Sequence, residues 1–357
     1  MTWTITLAGD PQSVPAEDGE TVLDALLRHG VGFAYSCQAG NCGTCKCEYV
    51  SGELFELEYS EHALSADDRS RGIILACRSQ VWSDVQIRRL SAEEFVMHPS
   101  RVMQCRVAEV SFATHDVLRL RLAVESGGPY TFSAGQFAKL QFAFSPDTPR
   151  DYSMANRPDE PVLEFHIRCI AGGVSGNIPS RLEQDDLVRV SGPFGTSYLR
   201  EQHPGPIIAI AGGTGLAPIR SIVATALAKG LDRELHLYFG VRGERDVYAE
   251  AELRAWQALH PNLEVHVVLS DETGEDAAQR SKGSHDSARV RRYGLVTDAV
   301  RADFPHFQGF QAYLAGPPAM VDAATTLLSA GGVPARDIHA DAFYSAADPA
   351  AVVGMPA

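Results

Sequence analysis

The sequence predicts a multidomain chain of three modules: an N-terminal module of mixed strands, a small antiparallel barrel, and a C-terminal α/β module with a parallel sheet. Three observations support this division. Five of the seven cysteines precede residue 80, apolar residues recur at every second position between about residues 101 and 200, and strand and helix patterns alternate after Pro204. A length of 357 residues is also too great for one ordinary domain.

The composition is that of an acidic globular protein. Lys and Arg number 31 against 45 for Asp and Glu, which gives a formal net charge of −14. A nucleic-acid-binding protein needs a cationic surface, so we expect no nucleic-acid partner. The N-terminus lacks a basic segment followed by an apolar one, and the run Pro206–Ile219 is too short to span a bilayer. We therefore expect a cytoplasmic protein without a membrane partner.

The first module, predicted for residues 1–92, begins with a strand because Trp3, Ile5 and Leu7 alternate with threonines. A helix is predicted from Thr21 to His29, with a glycine directly after it as the stop signal. A second strand-like segment ends at residues 85–87. Residues 93–100 are predicted to be a linker.

The middle module, predicted for residues 101–202, is dominated by alternation of apolar and polar residues. Apolar side chains occupy every second position in the segments 118–124, 140–144 and 163–169. Short strands of this kind, separated by Gly and Pro turns, are typical of a small antiparallel barrel.

The C-terminal module, predicted for residues 203–344, alternates strands with helices. Strands at residues 207–210, 235–239 and 265–269 are separated by helices at 217–229 and 249–259. This order predicts a parallel sheet with helical crossovers. The polar stretch 271–292 is predicted to be a loop, to which we assign no role, and residues 345–357 a flexible tail.

Four cysteines in the first module have the spacing of a metal cluster. Cys37, Cys42 and Cys45 form C-x₄-C-x₂-C, and Cys77 follows after 31 intervening residues. In plant-type [2Fe–2S] proteins, four thiolates at this kind of spacing hold two irons. The chemistry requires the first three ligands on one tight loop, and the sequence provides such a loop.

The residues around these cysteines support a cluster loop and leave one alternative. Gly40 and Gly43 would let backbone N–H groups approach the sulfur atoms without a clash with a Cβ. A zinc site based on Cys42 and Cys45 is the alternative, although zinc motifs normally use two paired knuckles. Cys47 is interpreted as a packed thiol on the strand that leaves the loop. The loop resembles the cluster loop of plant-type ferredoxins, and this resemblance implies a β-grasp-like [2Fe–2S] ferredoxin domain.

The middle module contains a second group of candidate site residues. Arg150-Asp-Tyr152-Ser153 follows a predicted strand of the barrel. Further along, strand alternation places His166 and Arg168 opposite the apolar residues and therefore on a surface outside the core. Each of these signals is weak alone, and their combination in one module is what makes them informative.

A glycine-rich turn follows in the same module. It can present backbone N–H groups and a hydroxyl to a phosphate. Its candidate ligand residues are Gly173, Val174 and Ser175. These motifs together resemble the FAD-binding barrel of the ferredoxin–NAD(P)H reductase superfamily. The resemblance implies that Arg150 pairs with the flavin pyrophosphate, that Tyr152 packs on the isoalloxazine ring, and that Ser153 acts as the catalytic residue near flavin N5. It also assigns His166 and Arg168 to the cofactor site.

The C-terminal module has a dinucleotide-binding signature. Gly213-Thr214-Gly215 follows a predicted strand and opens a helix, which would bring backbone N–H groups to a pyrophosphate. The motif departs from the full fingerprint because Pro218 occupies the position of its third glycine. Arg242 follows the second strand, where the adenosine ribose would lie. It could accept a 2′-phosphate, but nearby Glu244 would oppose one, so NADH is favoured and NADPH is the alternative.

Two further segments resemble parts of the same superfamily. Gly316 and Pro317 resemble its nicotinamide-side turn, although Ala315 stands where that turn often has cysteine. We therefore assign no cysteine-assisted hydride step. Phe343 resembles the C-terminal aromatic residue that covers the flavin. Both segments are counted among the predicted cofactor-binding residues.

The order of the three modules resembles the reductase components of bacterial aromatic-ring-hydroxylating dioxygenases. The resemblance implies hydride transfer from NADH to FAD and release of single electrons through the [2Fe–2S] cluster to a Rieske-type ferredoxin, a terminal oxygenase, or both. The sequence has no C-x-H pair for a Rieske cluster and no pair of E-x-x-H segments for a di-iron site, so oxygen chemistry is expected in another polypeptide. The alternatives are the reductase of a di-iron phenol or toluene monooxygenase and a non-enzymatic iron–sulfur carrier.

The negative charge is locally concentrated near the cysteines. The segment from Glu48 to Asp68 holds seven carboxylates and neither Lys nor Arg. Such a run is either a solvated face or a surface that docks a basic patch on the electron acceptor. The second interpretation predicts that electron delivery slows as the salt concentration rises.

Overall fold

The computed structural model describes residues 2–61, 63–90, 96–272 and 291–344. They divide into two compact units, one that extends to Met97 and includes Tyr344, and one that spans His98–Phe343. Most of the predicted loop 271–292, part of the predicted linker 93–100 and the predicted tail 345–357 lie outside the described residues. None of the described helices is both long and apolar enough to cross a membrane.

The first unit is built on a five-stranded mixed sheet. Its strands have the order β2-β1-β7-β3-β5, in which β1 and β7 are parallel and the other pairs are antiparallel. Strands β4 and β6 form a separate pair. The strands are β1 Thr2–Leu7, β2 Ser13–Glu17, β3 Lys46–Ser51, β4 Leu54–Glu56, β5 Ile73–Leu75, β6 Ser79–Val81 and β7 Val85–Arg89, and the helices are α1 Val22–Arg28 and α2 Ala66–Ser70.

Helix α1 begins and ends where the sequence predicts. The Thr21 hydroxyl accepts a hydrogen bond from the backbone N–H of Asp24 and caps the first turn. Gly30 has a φ of +72°, the left-handed conformation that commonly follows a helix. The buried side chains of α1, among them Leu23 and Leu26, cover the sheet. The helix thereby closes the core beneath the cysteine loop.

The second unit begins with a barrel of six antiparallel strands. Their order is β11-β10-β13-β8-β9-β12, and a bridge between Met154 and Phe165 joins the two outer strands. The core is apolar because alternate residues of each strand point inward. The elements are β8 Arg101–Phe112, β9 Val117–Ser126, β10 Phe137–Phe142, β11 Ser145–Ser153, β12 Val162–Arg168, the helix α3 Val174–Arg181 and β13 Leu187–Phe194.

The rest of the second unit is a six-stranded parallel sheet with helices on both faces. The strand order is β17-β16-β15-β14-β18-β19. The elements are β14 Ile207–Gly212, α4 Leu216–Ala228, β15 Leu235–Val241, α5 Glu250–Leu259, β16 Leu263–Leu269, β17 Arg291–Tyr293, α6 Val296–Asp303, β18 Gln311–Gly316, α7 Pro318–Ala330 and β19 Ile338–Ala342. One apolar core packs α4 and α5 on the sheet, and another packs α6 and α7 on its opposite face.

The predicted fold class is confirmed in all three parts of the chain. The periodicity signals worked because each sheet has a distinct pattern of burial. In the barrel, buried and accessible residues alternate, as along β9, whereas β14 and β18 are buried at every position. The sequence order also places β14 at the point where the strand order reverses, because β15 lies on one side of it and β18 on the other.

Candidate functional site

Four cysteines of the first unit meet at the loop between α1 and β3. The Cys37 sulfur accepts hydrogen bonds from the backbone N–H groups of Ala39 and Asn41, at 3.5 and 3.4 Å. The Sγ atoms of Cys45 and Cys77 lie 3.2 Å apart. All seven cysteines, each within the described residues, are free of disulfides. The loop therefore presents unbridged thiols together with N–H donors for a negatively charged sulfur.

Hydrogen bonds within the loop favour thiolate at two of the four candidate ligand cysteines. A hydrogen bond from the Cys42 thiol and backbone N–H groups lower the pKa of Cys37 to about 6. A hydrogen bond from the Cys77 thiol similarly lowers the pKa of Cys45. The thiols of Cys42 and Cys77 donate these hydrogen bonds, and their pKa values are raised accordingly. The pKa of Cys47 on β3 is raised by burial and not by a hydrogen bond to another cysteine. The donor set fits a [2Fe–2S] cluster held by Cys37, Cys42, Cys45 and Cys77.

Two glycines are required for the shape of this loop. Gly40 and Gly43 have φ values of +77° and +71°. A Cβ on Gly40 would lie 2.8 Å from side-chain atoms of Tyr59 and Arg78, and one on Gly43 would lie 2.7 Å from the carbonyl oxygen of Ala63. Both the backbone conformation and the lack of space therefore require glycine at these positions. The sequence prediction rested only on access of N–H groups to the sulfur atoms and did not anticipate these two reasons.

The predicted flavin motif lies along the end of β11. The guanidinium of Arg150 donates to the carbonyl of Pro149. Tyr152, two residues further along the strand, is half-buried. The Ser153 hydroxyl is buried and donates to the Asp341 carboxylate on β19, at 3.2 Å. A barrel residue and a residue of the parallel sheet therefore meet at this point. Asp341 has no local sequence signal, because its partner is 188 residues away.

The glycine-rich turn opens α3 as the sequence suggests. Gly173 is the N-cap residue, and no side chain caps this end of the helix. Its first N–H groups are consequently suited to an anion such as a phosphate. The Ser175 hydroxyl accepts a hydrogen bond from the backbone of Ile170 at 3.1 Å and so fixes the turn, while Val174 begins the helix.

The two predicted residues on β12 differ in their surroundings. Arg168 is exposed, as predicted, and its guanidinium donates to Asp116 at 3.1 Å. The prediction that His166 lies outside the core is wrong, because its side chain is only 3% exposed. Its ring nitrogens lie 3.2 Å from the Tyr248 hydroxyl and 3.1 Å from Glu164. Burial lowers the pKa of His166, so this histidine is a neutral link between the barrel and the parallel sheet.

Helix α4 fixes the barrel segment that follows the flavin motif. Arg220 forms a bidentate ion pair with Glu252, at 2.6 and 2.8 Å, and donates to the carbonyl of Ala155 at 2.6 Å. The Ser221 hydroxyl donates to the carbonyl of Asn156. No local sequence pattern indicates this network, because its members come from three separate segments. The network connects the barrel segment after the flavin motif to the helix that follows the nucleotide motif.

The dinucleotide motif lies at the reversal point of the parallel sheet. Ligands of open α/β sheets bind in the crevice formed there by the carboxyl ends of the strands. A cleft of about 270 Å³ occupies this position, and its lining includes Gly213, Thr214, Arg168, Arg242 and Pro317. The structure therefore brings together predicted residues from the barrel strand and from three strand ends of the sheet.

The two glycines of the motif have different roles. Gly213 has a φ of +55°, and a Cβ there would meet nothing within 4 Å. A Cβ on Gly215 would lie 2.0 Å from the carbonyl oxygen of Ala315, so Gly215 is needed for packing of α4 against β18. Gly316, with a φ of +140°, is needed for a different close approach, because a Cβ there would lie 2.7 Å from the carbonyl oxygen of Gly212 at the end of β14. Gly213 thus faces the cleft, whereas Gly215 supports it.

The neighbouring charged residues revise one prediction. The carboxylate of Glu244 does not line the cleft, because Arg291 donates to it at 2.7 and 3.0 Å. This pairing makes Glu244 less suited to oppose a 2′-phosphate than a carboxylate that lines the cleft. Asp246 lines the cleft instead, with Arg242 and Arg245. The carboxyl of Asp246 is held by the backbone N–H of Gly243 at 2.9 Å.

The predicted C-terminal aromatic residue lies beside the nicotinamide-side turn. Phe343 is half-buried against the core of the parallel sheet. Its backbone N–H donates to the carbonyl of Gly316 at 2.8 Å. The turn at Gly316 and Pro317 and the aromatic residue are thereby held next to each other.

The cysteine loop, the barrel and the nucleotide cleft together define an iron–sulfur flavoprotein class of reductase. Three family models match consecutive parts of the chain: a 2Fe-2S iron-sulfur cluster binding domain at residues 5–81, an oxidoreductase FAD-binding domain at 104–215 and an oxidoreductase NAD-binding domain at 209–326. The cofactors of the chain are accordingly FAD, a [2Fe–2S] cluster and NAD(H).

Curated relatives identify the family. The chain is 42% identical over 331 residues to the reductase component of the naphthalene 1,2-dioxygenase/salicylate 5-hydroxylase systems of Ralstonia, covering 92% of this chain and 95% of the relative. It is 37% identical to the reductase subunit of an aromatic O-demethylase of Amycolatopsis, covering 97% and 100%. The chain belongs to the family of ferredoxin–NAD(P)⁺ reductase components and is an NAD(P)H oxidoreductase.

Solved structures agree with this assignment. The Amycolatopsis reductase GcoB superposes with a TM-score of 0.78 and 36% identity, covering 96% of this chain and 99% of that one. The ferredoxin reductase of a carbazole 1,9a-dioxygenase superposes with a TM-score of 0.67 and 26% identity, with the same coverage. The similarity thus extends over all three modules.

Proposed function

We propose that this chain is the reductase of an aromatic-ring-hydroxylating dioxygenase system and passes electrons from NADH to a Rieske-type ferredoxin, a terminal oxygenase, or both. The similarity to the naphthalene dioxygenase reductase component over 92% of the chain is the observation that carries the proposal. The work divides among a ferredoxin domain at residues 1–92, a linker at 93–100, a flavin domain at 101–202, a nucleotide domain at 203–344 and a tail at 345–357. The cytoplasm, where thiols stay reduced, is the proposed compartment.

Each group of residues has a proposed part in this transfer. Cys37, Cys42, Cys45 and Cys77 hold the cluster, since they are the thiols with N–H donors or with each other as neighbours. Arg150 and the start of α3 bind the flavin pyrophosphate, and Tyr152 and Phe343 pack on the ring. When bound, FAD takes up a hydride from the nicotinamide and the cluster carries single electrons.

Ser153 and the cleft residues orient the donor. The Ser153 hydroxyl, which donates to Asp341, would lie near flavin N5. Gly213 and Thr214 face the pyrophosphate of the nucleotide, and Gly316 and Pro317 form the turn beside the nicotinamide. We assign His166 to positioning, because both of its ring nitrogens already have protein partners. Arg168 lines the cleft through which the nucleotide enters.

The choice of coenzyme rests on the carboxylates of the cleft. Asp246 and Asp116 line it together with Arg242 and Arg245. A carboxylate accepts a hydrogen bond from the ribose 2′-hydroxyl and repels a 2′-phosphate. Asp116 is already paired with Arg168. We therefore assign to Asp246 the role that the sequence prediction gave to Glu244, which is to oppose a 2′-phosphate. This supports NADH as the donor.

We expect the substitution Asp246→Asn to shift the preference from NADH towards NADPH by about tenfold in kcat/KM, because it removes the repulsion of the 2′-phosphate. The matched control is Glu244→Gln, which alters a carboxylate that does not line the cleft. Steady-state kinetics with both coenzymes measure the ratio. An equal shift in the two variants, or a shift in Glu244→Gln alone, contradicts the assignment to Asp246.

The acidic segment beside the cysteine loop supports a basic acceptor. Three of its seven carboxylates are paired with cations, since Glu48 pairs with Arg88 and two aspartates pair with Arg71 and Lys46. The other four remain exposed and are Glu53, Glu56, Glu58 and Glu61. The segment lies against the cluster loop, because the backbone N–H of Ser60 donates to the carbonyl of Gly40 at 3.0 Å. An anionic surface at this position steers a cationic partner.

The partner assignment is tested by supplying the purified holoprotein with NADH and different acceptors. We expect a Rieske ferredoxin from a naphthalene dioxygenase system to be reduced about tenfold faster than the hydroxylase of a di-iron phenol monooxygenase. Raising the ionic strength, or the pair of substitutions Glu58→Gln and Glu61→Gln, should slow this reduction. Glu183→Gln, which alters an exposed carboxylate outside the acidic segment, serves as control. Faster reduction of the di-iron component refutes the partner class, and salt-independent rates refute the docking surface.

A second partner class is favoured by one comparison. The reductase subunit of an aromatic O-demethylase is 37% identical and matches at its full length. Phenol 2-monooxygenase reductase of Pseudomonas is less similar, at 34%. The oxygenase of an O-demethylase system is therefore the second acceptor to include in the same experiment. Because the chain is an oxidoreductase of this family, the non-enzymatic carrier considered from sequence is set aside.

A further inference from the structure

The amino ends of β15 and β16 carry a group of side chains that electron transfer does not use. His236 on β15 lies opposite Glu264 on β16, and His266 lies two residues further along β16. Because alternate residues of a strand share a face, all three side chains lie on the same face of the sheet. They lie outside the nucleotide cleft, which is lined by Gly240 of β15 and Val268 of β16, four residues after His236 and two after His266. At ~3.3 Å per residue, these intervals are about 13 and 7 Å along the strands.

The three potential ligand atoms converge. The Nδ1 atom of His236 and the Nε2 atom of His266 lie 3.4 and 3.5 Å from the same carboxylate oxygen of Glu264. All three atoms are within 4.8 Å of one another. Ligands at about 2.0–2.2 Å from a tetrahedral zinc ion are separated by about 3.3–3.5 Å. Two of the three separations already have this value.

Three ring nitrogens of the two histidines are buried without the hydrogen bonds that burial normally requires. The His236 side chain is only 9% exposed, and neither of its ring nitrogens has a hydrogen-bond partner among the described residues. The Nε2 atom of His266, in a side chain 18% exposed, also lacks one within that part of the chain. The nearest further carboxylate, Glu234, is 3.5 Å from Nε2 of His236 but makes no hydrogen bond. Buried imidazole nitrogens without partners are unfavourable, and a metal ion would satisfy them.

Surrounding residues hold the rings in place. The ring of His236 packs edge-on against Phe304 at 4.9 Å, and His266 stacks on Tyr238 at 4.5 Å. The guanidinium of Arg292, on the neighbouring strand β17, is paired with Asp303.

We propose that His236, His266 and Glu264 form a divalent transition-metal site, with zinc as the preferred ion. Two imidazole nitrogens and one carboxylate oxygen suit zinc, whereas calcium and magnesium prefer all-oxygen sites. Three protein ligands leave one coordination position open. The Glu264 side chain is 62% exposed, so this position faces solvent and takes water or an external ligand. A bound ion ties β15 to β16 and stabilises the sheet that carries the nucleotide cleft.

The test is zinc binding to the holoprotein, with its iron and flavin content verified so that the cysteines are occupied. Isothermal titration and equilibrium dialysis with elemental analysis should show one zinc ion per chain without loss of iron. We expect Glu264→Gln, an exposed and nearly isosteric change, to weaken binding about 100-fold or more. His266→Ala should act in the same way, whereas His306→Ala, which removes an exposed histidine outside the cluster, should leave binding unchanged.

A second measurement distinguishes this site from nonspecific binding. Zinc should raise the Tm of the wild-type holoprotein and not that of Glu264→Gln, because an ion that binds only the folded state stabilises it. Bound Cu²⁺ should give an electron paramagnetic resonance spectrum with coupling to two nitrogens, since the oxidised flavin and cluster are silent. Zinc binding that is equal in wild type and Glu264→Gln overturns the proposal, as does absence of binding in wild type. None of these readouts depends on the electron acceptor.

Discussion

Replacement of Cys42 by serine is expected to reduce NADH-dependent reduction of cytochrome c by about 100-fold or more, while reduction of ferricyanide persists. Ferricyanide takes electrons directly from the flavin, whereas cytochrome c depends on the cluster in the proposed order. Cys42 contributes a sulfur that contacts Cys37 and interacts electrostatically with Cys45, so its loss removes one ligand and disturbs the other sites. Both activities are followed by absorbance, and the cluster content by iron analysis.

The matched control is Cys47→Ala, five residues further along the chain. Cys47 is fully buried on β3, and burial, not a hydrogen bond to another cysteine, raises its pKa, which sets it apart from the four proposed ligands. The change leaves a small cavity and should cost about 1 kcal/mol of stability while both activities remain. If the two activities of Cys42→Ser fall equally, the order of carriers is wrong. If Cys47→Ala loses the cluster, the ligand assignment is wrong.

The cysteine site was predictable because its chemistry is local. Three ligands and both glycines lie within nine residues, and the spacing is itself the signal. The fold class was equally accessible, since a period of two and alternation of strands and helices are short-range patterns. The positive φ of Gly40, and the lack of space for a Cβ beside Tyr59 and Arg78, add structural reasons for a glycine that the sequence had already identified.

The parts that sequence analysis missed are those that depend on long-range contacts. Glu244 and Asp246 are two residues apart, and only the pairing of Glu244 with Arg291 decides which of them faces the cleft. Strand alternation predicts that His166 lies outside the core, on the face of β12 opposite the apolar residues. Alternation does not indicate whether another part of the chain covers that face. The cover is supplied by Tyr248, 82 residues further along the chain. Buried polar contacts between distant segments therefore determine the roles that short motifs leave open.

Gly215→Ala is expected to destabilise the nucleotide domain by about 3 kcal/mol, a larger effect than helix propensity would suggest. Gly215 adjoins α4 with helical backbone angles, and on propensity alone alanine would gain up to about 1 kcal/mol. The new Cβ would however lie 2.0 Å from the carbonyl oxygen of Ala315, a backbone atom of β18 that cannot move without disturbing the sheet. The clash should therefore outweigh the propensity gain.

Gly213→Ala provides the matched comparison because it alters the same turn in open space. Its φ of +55° costs alanine about 1–2 kcal/mol, but no atom lies within 4 Å of the added Cβ. The methyl group would instead project towards the proposed pyrophosphate position, so KM for NADH should rise about tenfold or more. Thermal unfolding of the holoprotein and steady-state kinetics measure the two effects separately. If Gly213→Ala loses more stability, or if Gly215→Ala folds normally and loses only NADH affinity, the assignment of Gly213 to the ligand and Gly215 to packing must be reversed.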